Sequence, residues 1–167
     1  MELADVLLSE KQDYETEYLL ERGKPMPSKN HSILENRFSL AFARYEQAYQ
    51  TFIELSLDLN GKKATPDVCL FEVEPTDWLQ DEIRVTEPPL LTIEILSPTQ
   101  ALEELKDKIF NIYFPQGVKS CWIVVPTLKM IAVFTPNKGV TNYIAGIVKD
   151  PVLDIEVDMK EIGRAHV

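Results

Sequence analysis

Apolar positions recur along this chain with two periods, and the switches between them mark its elements. From His31 to Tyr49, the apolar residues Leu34, Phe38, Ala41, Phe42, Tyr45 and Tyr49 fall at steps of three and four, which lines one face of a helix. Pro25 and Pro27 hold the chain extended before it, and Ser28 or Asn30 can cap its first turn. From Ile53 the period becomes two. Ile53, Leu55, Leu57 and Leu59 alternate with Glu54, Ser56 and Asp58, and Asn60-Gly61 supplies the positive φ angles of a type I′ hairpin turn. The returning strand carries Asp67, Cys69, Phe71 and Val73 on one face and Val68, Leu70 and Glu72 on the other. LLTIEIL (90–96) is a further strand, with Leu91, Ile93 and Ile95 on one side and Thr92, Glu94 and Leu96 on the other.

Ser97-Pro98-Thr99 ends that strand and opens a helix whose apolar stripe is Leu102, Leu105, Ile109 and Ile112. Lys106 lies to one side of this stripe and Lys108 about as far to the other, so periodicity does not choose between them. Pro115 and Gly117 stop the helix. SCWIVVP (120–126) is apolar on both faces, the mark of a central strand, and MIAVFT (130–135) follows across a short turn. Asn137-Lys138-Gly139 turns again, and VTNYIA and VLDIEVDM read as later strands. At the N-terminus, residues 3–8 read as a short helix and Tyr14 to Leu20 as a strand running into a turn at Glu21 to Pro25. EPTDWLQDEIRVTEPP (74–89) is a polar, proline-bounded surface arm, and the residues from Gly163 onward read as a frayed tail. The order predicts one α/β (α+β) domain over 1–167, with 1–13 and 163–167 peripheral.

Composition narrows the function classes. A chain of 167 residues can bury a real core, and no apolar run is long enough to cross a bilayer. The acidic start MELADVLLSEKQDYETE lacks the basic region of a signal peptide, so a cytoplasmic location is expected. Cys69 and Cys121 sit in apolar strands without CxxC spacing, and with only His31 and His166 besides, the chain offers no zinc pattern. The six glycines form no phosphate loop. A net charge of −10 argues against a nucleic-acid partner, but the charge is unevenly spread. Ten acids lie between Pro66 and Glu104 against Arg84 alone, whereas Leu105 to Lys149 holds six lysines against Asp107. Bound divalent cations would offset part of the acidic segment.

Two of those acids stand out. Asp67 points the same way as three apolar residues, and Glu94 is a lone charge in an apolar strand. Such carboxylates need a metal, a donor or a cation. Each also has a plainer reading. Asp67 can cap a turn, Glu94 and Lys108 can form a structural ion pair, and His31 can be an exposed first-turn residue. Glu35, beside the buried stripe and one turn from His31, reads as a solvated boundary charge.

The order of helix, hairpin, strand, helix and strand, with Pro66-Asp67 followed by Glu94, resembles the core of the PD-(D/E)XK nucleases. That superfamily normally places a lysine two residues after the second acid, where this chain has Leu96. The longer strings TPDVCLF, TIEILSPTQ and YFPQGVKSCWIVVP resemble the Uma2 family, grouped with restriction endonucleases, and the resemblance runs from about Tyr14 to beyond Phe134. In that family the lysine has moved to the following helix, and Lys108 matches the migrated position. The family more often has four residues from this lysine to the tyrosine matching Tyr113. Here the step is five, so Lys106 stays as the runner-up.

The resemblance implies a restriction-endonuclease-like core, a mixed central sheet flanked by helices. It further implies Mg²⁺ (or Mn²⁺) held by Asp67, Glu94 and the backbone carbonyl of Ile95, with Lys108 acting on the nucleophile or the transition state. His31 or Glu35 would extend the site from the first long helix, the substrate would be DNA, and a homodimer would cut both strands. The alternative is a catalytically inactive nuclease-fold module that binds nucleic acid or protein.

Overall fold

The structure, a computed structural model, describes residues 2–137 and 139–163. Helix α1 (Leu3–Arg22) takes in both the short helix and the strand expected near the N-terminus. The strand reading of Tyr14 to Leu20 is corrected for a local reason: this segment is nearly free of β-branched residues, and the Arg22 guanidinium lies 5.6 Å from the centre of the Tyr18 ring, one turn back. Gly23 ends the helix in the left-handed region, with φ 71°, and its N–H donates to the Leu19 carbonyl. Helix α2 (Lys29–Phe42) is capped by Ser28, whose hydroxyl oxygen accepts from the His31 N–H. It is shorter than its periodicity suggested. A 3₁₀ turn (Ala43–Tyr45) follows, and Tyr49 opens strand β1 (Tyr49–Ile53), so Tyr45 and Tyr49 reach the core from a turn and a strand.

Glu54 breaks the single strand expected over 53–59, because its φ of 54° turns the chain. Strands β2 (Leu57–Leu59) and β3 (Lys62–Ala64) then pair with each other across Asn60 and Gly61, whose φ angles of 54° and 85° are those of a type I′ turn. Next come β4 (Val68–Glu72), β5 (Leu91–Ile95) and α3 (Leu102–Lys108), which continues into a π-helical turn (Ile109–Tyr113). The remainder is β6 (Ser120–Val125), β7 (Met130–Thr135), β8 (Gly139–Tyr143), β9 (Ile147–Lys149), β10 (Glu156–Asp158) and α4 (Met159–Gly163). Strand β9 has no counterpart in the sequence pattern. VLDIEVDM yields only the short β10 before Met159 enters α4, so two of its expected strand ends are loop and helix. Gly163 closes α4, and the rest of the expected tail lies outside the described residues.

The main sheet has the order β1-β4-β5-β6-β7-β8 and is mixed, with β5 and β6 parallel and the other neighbours antiparallel. The chain therefore has the α/β fold expected, a mixed central sheet flanked by helices. On one face, Phe38 and Phe42 of α2 pack against Trp122 of β6, with Ile162 of α4 in the same cluster. On the other, Leu105, Ile109 and Tyr113 cover Cys121 and Ile123 together with Leu57 and Leu59. Both cysteines are free and buried, as their strand positions suggested.

A buried carboxylate fastens the C-terminal segment to this sheet. Asp150 accepts from the Ser120 hydroxyl, from the Trp122 indole N–H at 2.9 Å, and from the backbone N–H groups of Val152 and Leu153 at 2.9 and 2.8 Å. Removing an acceptor from several buried donors costs about 1–3 kcal/mol for each group left unpaired. Asp150→Ala is accordingly expected to destabilise the fold by about 3 kcal/mol or more, or roughly 6–12 °C in the thermal midpoint of a domain this size. A loss under about 1 kcal/mol by urea unfolding would show that these donors find other partners.

Candidate metal and phosphodiester site

The two acids expected to act together are set side by side by strand register. Strand β4 pairs β5 antiparallel with Val68 opposite Ile93 and Cys69 opposite Thr92, and one step further puts Asp67 opposite Glu94. Directly opposed residues project from the same face of a sheet, so both carboxylates look to one side. On the other flank of β4, Ile53 pairs with Val68, and the Glu54 N–H donates to the Asp67 carbonyl. Three acids from three adjacent strands thus form a row across the end of the sheet. Asp67 and Glu94 are each 1% exposed.

Asp67 is enclosed by donors. Its Oδ2 accepts from the Ile95 backbone N–H at 2.6 Å and lies 3.0 Å from His31 Nε2, while its Oδ1 accepts from the Lys24 ammonium. His31 Nδ1 in turn faces Glu35 Oε1 at 2.8 Å, one helical turn along α2. Lys24 also lies 2.5 Å from Glu54 Oε2, and it is 4% exposed, which for a lysine is deep burial. His31, Glu35, Glu54 and Asp67 each offer one ligand atom within 4.8 Å of the others. Asp67 and Glu54 give this group the carboxylate oxygens that a hard divalent cation takes, and the Glu54 oxygens are shielded from solvent without a well-aligned hydrogen bond.

Glu94 is held from the other side. Its Oε1 accepts from the Tyr113 hydroxyl at 2.5 Å and lies 3.4 Å from Lys108 Nζ. Residues five apart on an α-helix point about 140° away from each other, so one α-helix could not turn both side chains to one oxygen. The π turn does it. The Phe114 N–H donates to the Ile109 carbonyl, five residues back, which widens the turn between Lys108 and Tyr113. Lys106 points elsewhere, to Glu103 on the surface at 3.3 Å.

A family model described as "Putative restriction endonuclease" matches residues 3–158 of this chain. The chain belongs to the Uma2 family. Its fold is similar to that of a crystal structure described as a putative nuclease belonging to DUF820 from Anabaena variabilis, with 21% identity, 84% of this chain and 83% of that chain covered, and a TM-score of 0.71. At that identity the likeness speaks for the fold. No curated protein matches the chain.

In this Uma2 chain a π turn lies within the five-residue step from Lys108 to Tyr113. The structure gathers Asp67, His31 and Glu35 into one group and Glu94 and Lys108 into its neighbour, and it leaves Lys106 outside both. Two expectations are corrected. Glu35 is buried rather than a solvated boundary charge, and His31 is 4% exposed rather than open to solvent. Ile95 contributes its N–H to Asp67. Lys24, Glu54 and Tyr113 were not anticipated as members. Lys24 lies in a Gly-Lys-Pro turn with no periodic signal, and Glu54 looked like the polar half of a strand alternation. Tyr113 was legible only as a spacing marker.

The charges of this cluster are strongly coupled. Burial alone would push the Asp67 pKa up, but His31 and Lys24 outweigh it and hold it below its ordinary value. Glu94 goes the other way. Burial raises it, and Lys108 only partly compensates. For Glu54, burial and the neighbouring Glu35 carboxyl raise the pKa to about 7. Burial would lower His31, but its contacts with Asp67 and Glu35 prevail and raise it to about 9.

A group raised on folding gives stability that is complete below its unfolded pKa and is lost as pH rises through its folded one. The His31 contribution is therefore full below about pH 6.5 and gone above about pH 9, and Glu54 adds a loss of the same sign between about pH 4.5 and 7. The metal-free protein is expected to lose thermal stability from pH 6.5 to 9, and His31→Gln to flatten that slope. Identical slopes in both proteins would sink the assignment.

Proposed function

We propose that the protein is a Mg²⁺- or Mn²⁺-dependent endonuclease that hydrolyses phosphodiester bonds of DNA. The observation that carries this reading is the cross-strand pairing of Asp67 with Glu94, each buried and each holding a lysine ammonium. Asp67, Glu94 and the backbone carbonyl of Ile95 would hold the cation, with Glu54 able to add a carboxylate from the next strand. When bound, the ion supplies Lewis-acid charge to a phosphate oxygen and makes a neighbouring water more acidic.

The protein groups divide the remaining work. Lys108 is the catalytic residue of the family's migrated position. Its ammonium, kept beside Glu94, orients the attacking water or offsets the negative charge that builds on the phosphorane oxygens. Tyr113 is a positioning residue that fixes Glu94 through its hydroxyl. His31 and Glu35 do the same for Asp67, holding Oδ2 while Oδ1 faces the site. A homodimer in the cytoplasm, with one site per strand, completes the proposal.

A second reading, a non-catalytic nucleic-acid- or protein-binding module, draws on the net charge of −10 and on Asp67 being fully engaged by protein donors. Incubation of the purified protein with plasmid DNA and Mg²⁺ or Mn²⁺ separates the two. The nuclease reading expects nicked or linear product that Asp67→Ala and Glu94→Ala abolish. Lys108→Ala should lower the rate by on the order of 10²–10³, and Lys106→Ala should leave it within about twofold. Cleavage that survives both acid substitutions would place the activity elsewhere, and a silent wild-type protein that binds no metal would favour the second reading.

A further inference from the structure

The cluster carries its own buried cation. Lys24 stands between helix α1 and Pro25, outside every strand of the site, yet its ammonium is buried against Asp67 Oδ1 and Glu54 Oε2. Asp67 Oδ2 is already committed to the Ile95 N–H and to His31. Oδ1 is therefore the oxygen by which Asp67 can enter a coordination shell, and it is the one the ammonium holds. A divalent ion needs oxygen ligands at about 2.0–2.1 Å in a near-octahedral arrangement. An ion at that distance from Oδ1 and an ammonium in hydrogen-bond contact with the same oxygen would be close neighbours of like charge in a site shut off from water.

We propose that Lys24 is a built-in counter-ion that competes with the divalent cation, and that metal loading expels its ammonium from between Asp67 and Glu54. The inference rests on the reading of Asp67 as a metal ligand. It goes further in dividing the site into two exclusive charge states. Without metal, Lys24 compensates two buried carboxylates that would otherwise be costly to keep ionised. With metal, the ion takes over that compensation, and the apparent affinity is lowered by the fraction of molecules in which Lys24 still holds the acids. The path out is local. Helix α1 is largely exposed along its length, and Gly23 supplies a left-handed joint directly before Lys24, so the lysine can leave without unpacking a core element.

The test reads metal binding rather than cleavage. Mn²⁺ is titrated by calorimetry into wild-type protein, Lys24→Met, Lys24→Arg and Asp67→Asn, each checked for folding by circular dichroism. Lys24→Met is expected to bind Mn²⁺ at least about tenfold more tightly than wild type. Lys24→Arg should stay within a few-fold of wild type, and Asp67→Asn should lose binding. Lys24→Met should also melt lower than wild type without metal and recover with Mn²⁺, as acids freed of their counter-ion require.

A measurement on wild type alone guards against a variant that fails to fold. An amine-acetylating reagent followed by peptide mass spectrometry should label Lys24 slowly in metal-free protein and several-fold faster at saturating Mn²⁺. Wild type that binds Mn²⁺, with Lys24→Met no tighter and Lys24 labelling unchanged, overturns the counter-ion proposal and leaves the metal site standing. Wild type and Lys24→Met both failing to bind Mn²⁺ overturns the two together.

Discussion

The rest of the site depends on one constraint: two strands in antiparallel register place a pair of carboxylates side by side where water cannot reach them. Asp67 and Glu94 do not choose their partners independently, because the alignment of β4 with β5 that buries Val68, Leu70 and Ile93 also fixes the acids opposite each other. A shift of one residue in either strand would carry its acid into the apolar layer beneath α2. Core packing and site geometry are thus one specification. Burial in turn dictates everything around the acids, since each buried carboxylate must be met by donors or cations. The structure answers with His31, Lys24 and the Ile95 N–H on Asp67 and with Lys108 and Tyr113 on Glu94.

The π turn shows how a small irregularity of backbone serves that requirement. Helix α3 has to cover Cys121 and Ile123 with Leu105 and Ile109, which fixes its apolar face. With that face set, regular winding could bring Lys108 or Tyr113 to Glu94 but not both. Widening one turn lets the helix keep its packing and still deliver two donors to a single oxygen. The structure sets Lys108 beside Glu94 and Lys106 on Glu103, and the five-residue step that left Lys106 open in the sequence spans this turn.

What could be read from the sequence was what periodicity controls. The α2 stripe as far as Phe42, the buried β6 and the strand faces of Asp67 and Glu94 follow from 3.6-residue spacing or alternation, the Asn60-Gly61 turn follows from its dipeptide, and each appears in the structure. Elements without such control were misread. Residues 14–20 of α1 contain leucines and tyrosines that fit a strand, but helix propensity and the Tyr18–Arg22 contact decide the matter. Glu35 and His31 looked solvated because the pattern places them at the edge of a stripe. Their burial comes from Asp67, which is distant in sequence. Lys24 is the extreme case: nothing near it in the chain hints at two acids from strands that form much later.

That asymmetry bears on what the cluster is for. A structural ion pair would need only enough cation to balance its acids, and at Glu94 the count stops there, with Lys108 and one hydroxyl. At Asp67 two cationic side chains, Lys24 and His31, are shared among three carboxyl groups, Asp67, Glu35 and Glu54, so no acid there has a cation to itself. His31 is on a helix and locked by Glu35, whereas Lys24 is on a turn next to a glycine. In the proposed exchange the cation at the hinge would leave without disturbing the sheet, and the one on the helix would stay on Asp67. A buried lysine beside a left-handed glycine, set against two acids at the end of the sheet, is what distinguishes this half of the site from the fixed pair at Glu94.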